Sequence, residues 1–296
     1  MERQSSPEGL LERIFKIRAR NSSVRAELLA GLTTFVAIGY VIFVNPNILH
    51  DAGVPREAAI AATLWSTVFA TVIMGLWANF PVAVAPGMGL NAFFTYTVVL
   101  GMGLSWQTAL GAVFISGIVF LILTLGGIRQ AIIAAVPMNL KYAIVVGIGA
   151  FIAFVGMHGS GIIVDNPATL VGAGHLANIQ FELGKPAPLL TLAGLLITGI
   201  LMARKVNCAL LIGIGITTLL GMAFGACPPP KSLSDVVSLT PPSLSGTFMA
   251  MDLKGALQYG IISIIFTFTV VELFDNMGTL IGLTRKAGLM REDGSI

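Results

Sequence analysis

The sequence is short of charge. Asp, Glu, Lys and Arg together supply 10% of its 296 residues, against about 25% in a soluble domain. None of them occurs in the 71 positions from Ala58 to Ile128. A solvated surface cannot be covered from that inventory, so a water-soluble globular fold is excluded. Cysteine is scarce as well. Cys208 and Cys227 flank one apolar run without metal-ligand spacing, which leaves them packing roles. The three histidines, His50, His158 and His175, are scattered, so no metal site and no cofactor is expected. No His-Glu-x-x-His, Gly-x-Ser-x-Gly or paired His/Asp arrangement occurs, so no catalytic residue is assigned and an enzyme is not expected. The first 24 residues have neither an apolar core nor a small-residue cleavage site, and no cleaved signal peptide is expected there.

What remains is apolar. Hydrophobic residues make up 55% of the chain, the mean hydropathy is +0.89, and the composition specifies an integral membrane protein. Crossing the hydrocarbon takes about 20 residues at 1.5 Å rise. Eight apolar runs of that order fall near 26–49, 58–80, 86–104, 107–127, 142–158, 188–203, 208–226 and 255–284. The 34 glycines suit helices that pack closely or break.

With the N-terminus on the inner side, thirteen Lys and Arg residues fall inside: six between Arg3 and Arg25, then Arg129, Lys141, Arg204, Lys205, Arg285, Lys286 and Arg291. Only Arg56, Lys185, Lys231 and Lys254 fall outside. This bias fixes a multi-pass topology with a cytoplasmic N-terminus. It also removes a nucleic-acid partner, because the basic residues are spread over helix ends. Leu10, Leu11, Ile14 and Phe15, interleaved with Arg13, Lys16 and Arg18, have helical spacing. They predict an amphipathic segment lying on membrane lipid.

Two segments break the pattern. Before the third, Pro81-Val-Ala-Val-Ala85 reads as a short strand, and Pro86-Gly-Met-Gly-Leu-Asn-Ala92 then opens a helix. Irregular backbone inside a bilayer is tolerated where it is buried or lines a cavity. A half-helix beginning there turns its N–H groups and positive dipole end toward whatever fills that cavity; a re-entrant turn without a ligand is the plain alternative. Gly87-x-Gly89-x-x-Ala92 also mimics a dinucleotide fingerprint, but the next acidic residue is Asp165, too far on for a ribose partner. The eighth segment carries Glu272 and Asp275 within an apolar helix, three residues apart on neighbouring parts of one face. A carboxylate at that depth costs about 2.5–3.5 kcal/mol on insertion scales and faces a pathway, a ligand or a polar partner in the bundle. Gly278 and Thr279 follow within a turn. Phe93, Phe94 and Tyr96, next to Asn91, offer flat faces for stacking or plain packing. A channel would carry polar rings along several segments, whereas only one holds deep acids.

Together, Ala85-Pro-Gly-Met-Gly-Leu-Asn-Ala-Phe-Phe94 and Val271-Glu-Leu-Phe-Asp-Asn-Met-Gly-Thr-Leu-Ile-Gly282 resemble the nucleobase–cation symporter-2 family, and most of all its AzgA-type adenine, guanine and hypoxanthine permeases. The stretches from Arg25 to Pro46 and from Val136 to Phe151 carry the same resemblance. It implies an all-α membrane transporter of two inverted repeats of seven segments. Residues 1–24 would be the cytoplasmic amphipathic segment and 25–127 the core-domain segments one to four. Residues 128–226 would be the gate-domain segments five to seven, and 227–296 an outer loop, core-domain segment eight and an inner tail. It further implies a purine nucleobase as substrate and a proton, or another cation, as its companion in symport across the cell membrane. It implies Asn91 and Asp275 as binding residues; the residues around them add Gly89, Phe93 and Thr279 as binding candidates and Glu272 as the candidate for proton coupling. Against this pattern the chain ends after the eighth segment. It is therefore expected to be an N-terminal fragment that a second copy or the missing half must complete; a channel or a non-transporting product are the alternatives.

Overall fold

The computed structural model describes residues 10–17, 22–128, 132, 137–176, 187–206, 208–232, 242–258 and 262–287. Residues 1–9 and 18–21 of the amphipathic segment, and the tail 288–296, lie outside the described residues. The described chain is mostly helical: α1 (Leu10–Phe15), α2 (Val24–Ile38), α3 (Val41–Asp51), α4 (Arg56–Leu76), α5 (Met88–Ala92), α6 (Trp106–Leu125), α7 (Met138–Gly159), α8 (Pro188–Ala203), α9 (Ala209–Ala223), α10 (Leu253–Gln258) and α11 (Ile262–Ala287). A π-helical stretch, Phe93–Gly101, continues α5. Val24–Asp51, Arg56–Leu76 and Trp106–Leu125 are long and apolar enough to cross a membrane, and Met88–Gly101, Pro188–Ala203 and Ala209–Ala223 are shorter apolar helices. Leu28, Phe35, Phe69 and Leu125 are each more than half exposed. Such faces suit acyl chains and would be untenable in water.

The helix ends follow local chemistry. Ser23 caps α2 through the Ala26 N–H at 3.2 Å, and Ser105 caps α6 through the Thr108 N–H at 3.1 Å. Pro188 opens α8. Between α2 and α3 the chain turns at Gly39 and Tyr40, so the first long run holds two helices. The described parts of the eighth run are α10 and α11.

Two compact units divide the chain. The first gathers the described residues within Met1–Pro46, Ile60–Pro86 and Ser160–Pro242. In it α8 and α9 approach through small residues: a Cβ at Gly194 would meet Thr217, and one at Gly213 would meet Thr198. Ile163–Asn166 (β1) and Leu170–Ala173 (β2) form an antiparallel hairpin in this unit. No strand is expected there from the sequence.

The strand expected at Pro81–Ala85 is not one. Residues 81–87 are irregular and have no ladder among the described residues. A strand needs a second backbone to pair with, and here a side chain stands in for it. The Val84 N–H donates to Thr71 Oγ1, and that hydroxyl donates to the Val84 carbonyl, each at 3.1 Å.

The second unit gathers the described residues within Asn47–Ala59, Gly87–Gly159 and Ser243–Ile296. Its core is built from Phe94, Val98, Ala109, Ala112, Ala256 and Phe268. Here α6 packs on α10 and α11, and α5 on α7 and α11. A Cβ at Gly111 would lie 2.5 Å from the Asp252 carbonyl oxygen, so only glycine admits α10 this close to α6. The π-helical stretch is tied down by consecutive hydroxyls. Buried Thr95 donates to the Ile48 carbonyl at 2.9 Å, and Tyr96 donates to Asp51 Oδ2 at 2.8 Å.

Candidate functional site

The α5 helix begins where the sequence changes character, after two prolines and at a glycine. Gly87 takes an extended conformation at its N-cap. The first bond inside the helix runs from the Asn91 N–H to the Gly87 carbonyl at 3.2 Å. The N–H groups of Met88, Gly89 and Leu90 therefore lead the helix. The Asp275 carboxylate stands at this end: a Cβ built on Gly87 would come within 2.8 Å of Asp275 Oδ2. A helix N-terminus attracts negative charge, and the missing side chain is what lets the carboxylate approach. Gly87 was not among the binding residues expected from sequence. The Pro-Gly pair signalled a helix start but said nothing of a partner from a segment far along the chain.

A second contact sets the direction of α11. The rings of Phe93 and Phe268 meet edge to face, with centroids 5.2 Å apart and planes at 77°. From Gly87 to Phe93 is six residues forward on one helix, and from Asp275 to Phe268 seven residues back on the other. The two helices thus run antiparallel. Phe268, Glu272 and Asp275 follow at helical spacing along one stripe of α11. Half-buried Asn91 sits on α5 between the two contact levels. Phe268 is a member of the site that was not read from sequence, where it looked like one more apolar position.

Glu272 and Asp275 are both half-buried, and among the described residues neither makes an ion pair or a hydrogen bond. Gly89 is buried in α5. Thr279, one turn beyond Asp275, is exposed. The structure thus brings Asp275, Phe93, Asn91 and Glu272 to one helix pair, with Gly87 and Phe268 added, and leaves Thr279 at its edge. The group offers charged acceptors, an amide, outward N–H donors and an aromatic wall. Those features suit a small flat polar molecule carrying N–H groups.

A model of the Permease family, the xanthine/uracil permeases, matches residues 25–294. The chain is 43% identical to the adenine permease AdeP of Escherichia coli (strain K12), over 98% of this chain and 63% of that protein. It is 39% identical to the guanine/hypoxanthine permease PbuO of Bacillus subtilis (strain 168), over 95% of this chain and 63% of that protein. With the guanine/hypoxanthine permease PbuG of the same organism the identity is 41%, over 96% of this chain and 64% of that protein. The chain spans less than two thirds of the length of the curated relatives it matches.

Proposed function

Because the chain belongs to the Permease family, we propose that it serves in secondary transport of purine nucleobases, with adenine, guanine and hypoxanthine as the candidate substrates and a proton as the coupled cation. The names of its relatives support the substrate class. The observation that carries the site is the Asp275 carboxylate held against the N-terminus of α5, where a Cβ at Gly87 would displace it.

In this reading Asp275 accepts a ring N–H of the base through a charge-assisted bond. The outward N–H groups at Met88 and Gly89 donate to ring nitrogens or to an exocyclic oxygen, and the Asn91 amide does both. Phe93, backed by Phe268, provides an apolar face for the ring. Glu272, one turn from Asp275, carries the proton, and Thr279 closes the edge. Residues 25–127 and the eighth segment form the core domain of an inverted-repeat transporter, and 128–226 form the gate. The protein lies in the cell membrane with its N-terminus in the cytoplasm.

The test is uptake of radiolabelled adenine, guanine, hypoxanthine and uracil by cells that lack their own purine permeases and express the gene in full. Uptake of at least one purine, in preference to uracil, is expected. No uptake of any purine, with the protein present in the membrane, would end the proposal.

A further inference from the structure

The carboxylates of α11 are useful only if they face α5, and that depends on how α11 is rotated about its own axis. Residues three apart on a helix differ by about 60° around the axis, so a contact at Thr269 governs where Glu272 points. Such a contact exists. Thr269 is 5% exposed, Ser116 of α6 is 1% exposed, and their hydroxyl oxygens are 3.0 Å apart. Each hydroxyl has one proton to give. Thr269 directs its proton to the Ile265 carbonyl at 2.8 Å, so the proton between the two side chains comes from Ser116. The result is a directed chain from Ser116 to Thr269 to the backbone of α11.

The surroundings make this chain consequential. Its neighbours on α6 are small and buried, Ala109 and Ala112, and α11 presents buried Phe268 and Leu273 on either side of Thr269. Packing against such small side chains defines the rotation of a helix less sharply than a hydrogen bond, whose distance and angle are restricted. The bond is a directional link between α6 and α11.

We propose that Ser116 and Thr269 are positioning residues of the binding site: their hydroxyl pair fixes the rotation of α11 and so aims Glu272 and Asp275 at the N-terminus of α5. The consequence for purine binding rests on the function proposed above; the rotation itself does not.

Two measurements separate these. The first is purine affinity in membranes for T269V, S116A, T269S and the double variant S116A/T269V. T269V removes the hydroxyl at constant shape and T269S retains it. A net hydrogen bond of about 1 kcal/mol corresponds to roughly a fivefold change, so T269V and S116A should each weaken binding about five- to tenfold. The double variant should lose no more than either single change, because both remove one interaction. T269S should stay within about twofold of the parent. The second measurement needs no purine. In a background with Cys208 and Cys227 replaced by serine, the alkylation rate of the thiol introduced by D275C reports which way this position faces. T269V and S116A should change that rate, and T269S should not. If T269V inserts poorly, S116A carries the same test. An alkylation rate unmoved by either hydroxyl deletion overturns the proposal, as does an affinity loss that only tracks folded yield. Shifted alkylation in a protein that binds no purine would uphold the positioning role and reject the transport reading.

Discussion

At Gly87 a hydrogen atom in place of a methyl group decides whether a carboxylate reaches a helix end. Adding that methyl in G87A puts a carbon within 2.8 Å of Asp275 Oδ2, closer than any stable contact, so the carboxylate must move off. D275N reaches the same end by another path: it keeps the size of the side chain but replaces an acceptor-only group with one that also donates. Losing a charge-assisted partner costs about 1.5–3 kcal/mol, or roughly 10- to 100-fold in purine affinity. G87A should lower affinity by less than D275N, because the carboxylate is the far end of a flexible side chain that can step aside, and G87A should add little to D275N. Equilibrium binding to membranes of equal protein content checks this, and full affinity in D275N would remove Asp275 from the site. Glu272 has a separate role in the proposal. E272Q should flatten the pH dependence of uptake while leaving purine affinity close to that of the parent; a pH profile that keeps its shape would take proton coupling away from this residue.

Among the elements, those that depend on hydropathy were legible and those that depend on partners were not. Runs of apolar residues near 58–80, 107–127 and 188–203 became α4, α6 and α8 with ends shifted by a few residues, because lipid imposes helix length directly. The hairpin of β1 and β2 was missed: its strands are four residues each and give no long periodic signal. The stretch before α5 was misread as a strand because β-branched residues between prolines look the same whether or not a second backbone is present. Its real support, the Thr71 hydroxyl, lies 13 residues away on α4. In the site, Asp275 and Asn91 were visible as polar residues in apolar surroundings, whereas Gly87 and Phe268 acquire meaning only from what they touch.

Two predictions belong to this scale. T71V leaves both the N–H and the carbonyl of part-buried Val84 without their partner, at up to about 1 kcal/mol for each bond lost; T71S should recover most of the loss. Gly111→Val forces α10 off α6, since even a Cβ would lie 2.5 Å from the Asp252 oxygen, and overpacking of this kind costs about 1–3 kcal/mol. Thermal unfolding in detergent should show lower midpoints for T71V and Gly111→Val, and midpoints equal to the parent's would contradict the contacts assigned to Thr71 and Gly111.

For the whole molecule, the arrangement across the bilayer was read from charge alone, and it can be tested around one described helix. Lys205 precedes α9 (Ala209–Ala223) in an exposed turn, and Ser232 lies exposed beyond its other end. Fifteen residues rise about 22 Å, somewhat less than the hydrocarbon thickness of about 30 Å. The flanking residues Val206 and Phe224–Cys227 must therefore supply the remainder, and positions 205 and 232 should emerge on opposite sides. In the orientation proposed above, 205 lies in the cytoplasm and 232 outside. In a background with Cys208 and Cys227 changed to serine, a membrane-impermeant maleimide added to intact cells should label S232C and leave K205C unmodified until the cells are opened. Labelling of both from outside would mean that α9 does not span. Labelling of K205C alone would invert the topology, and with it the side from which the site between α5 and α11 is first reached.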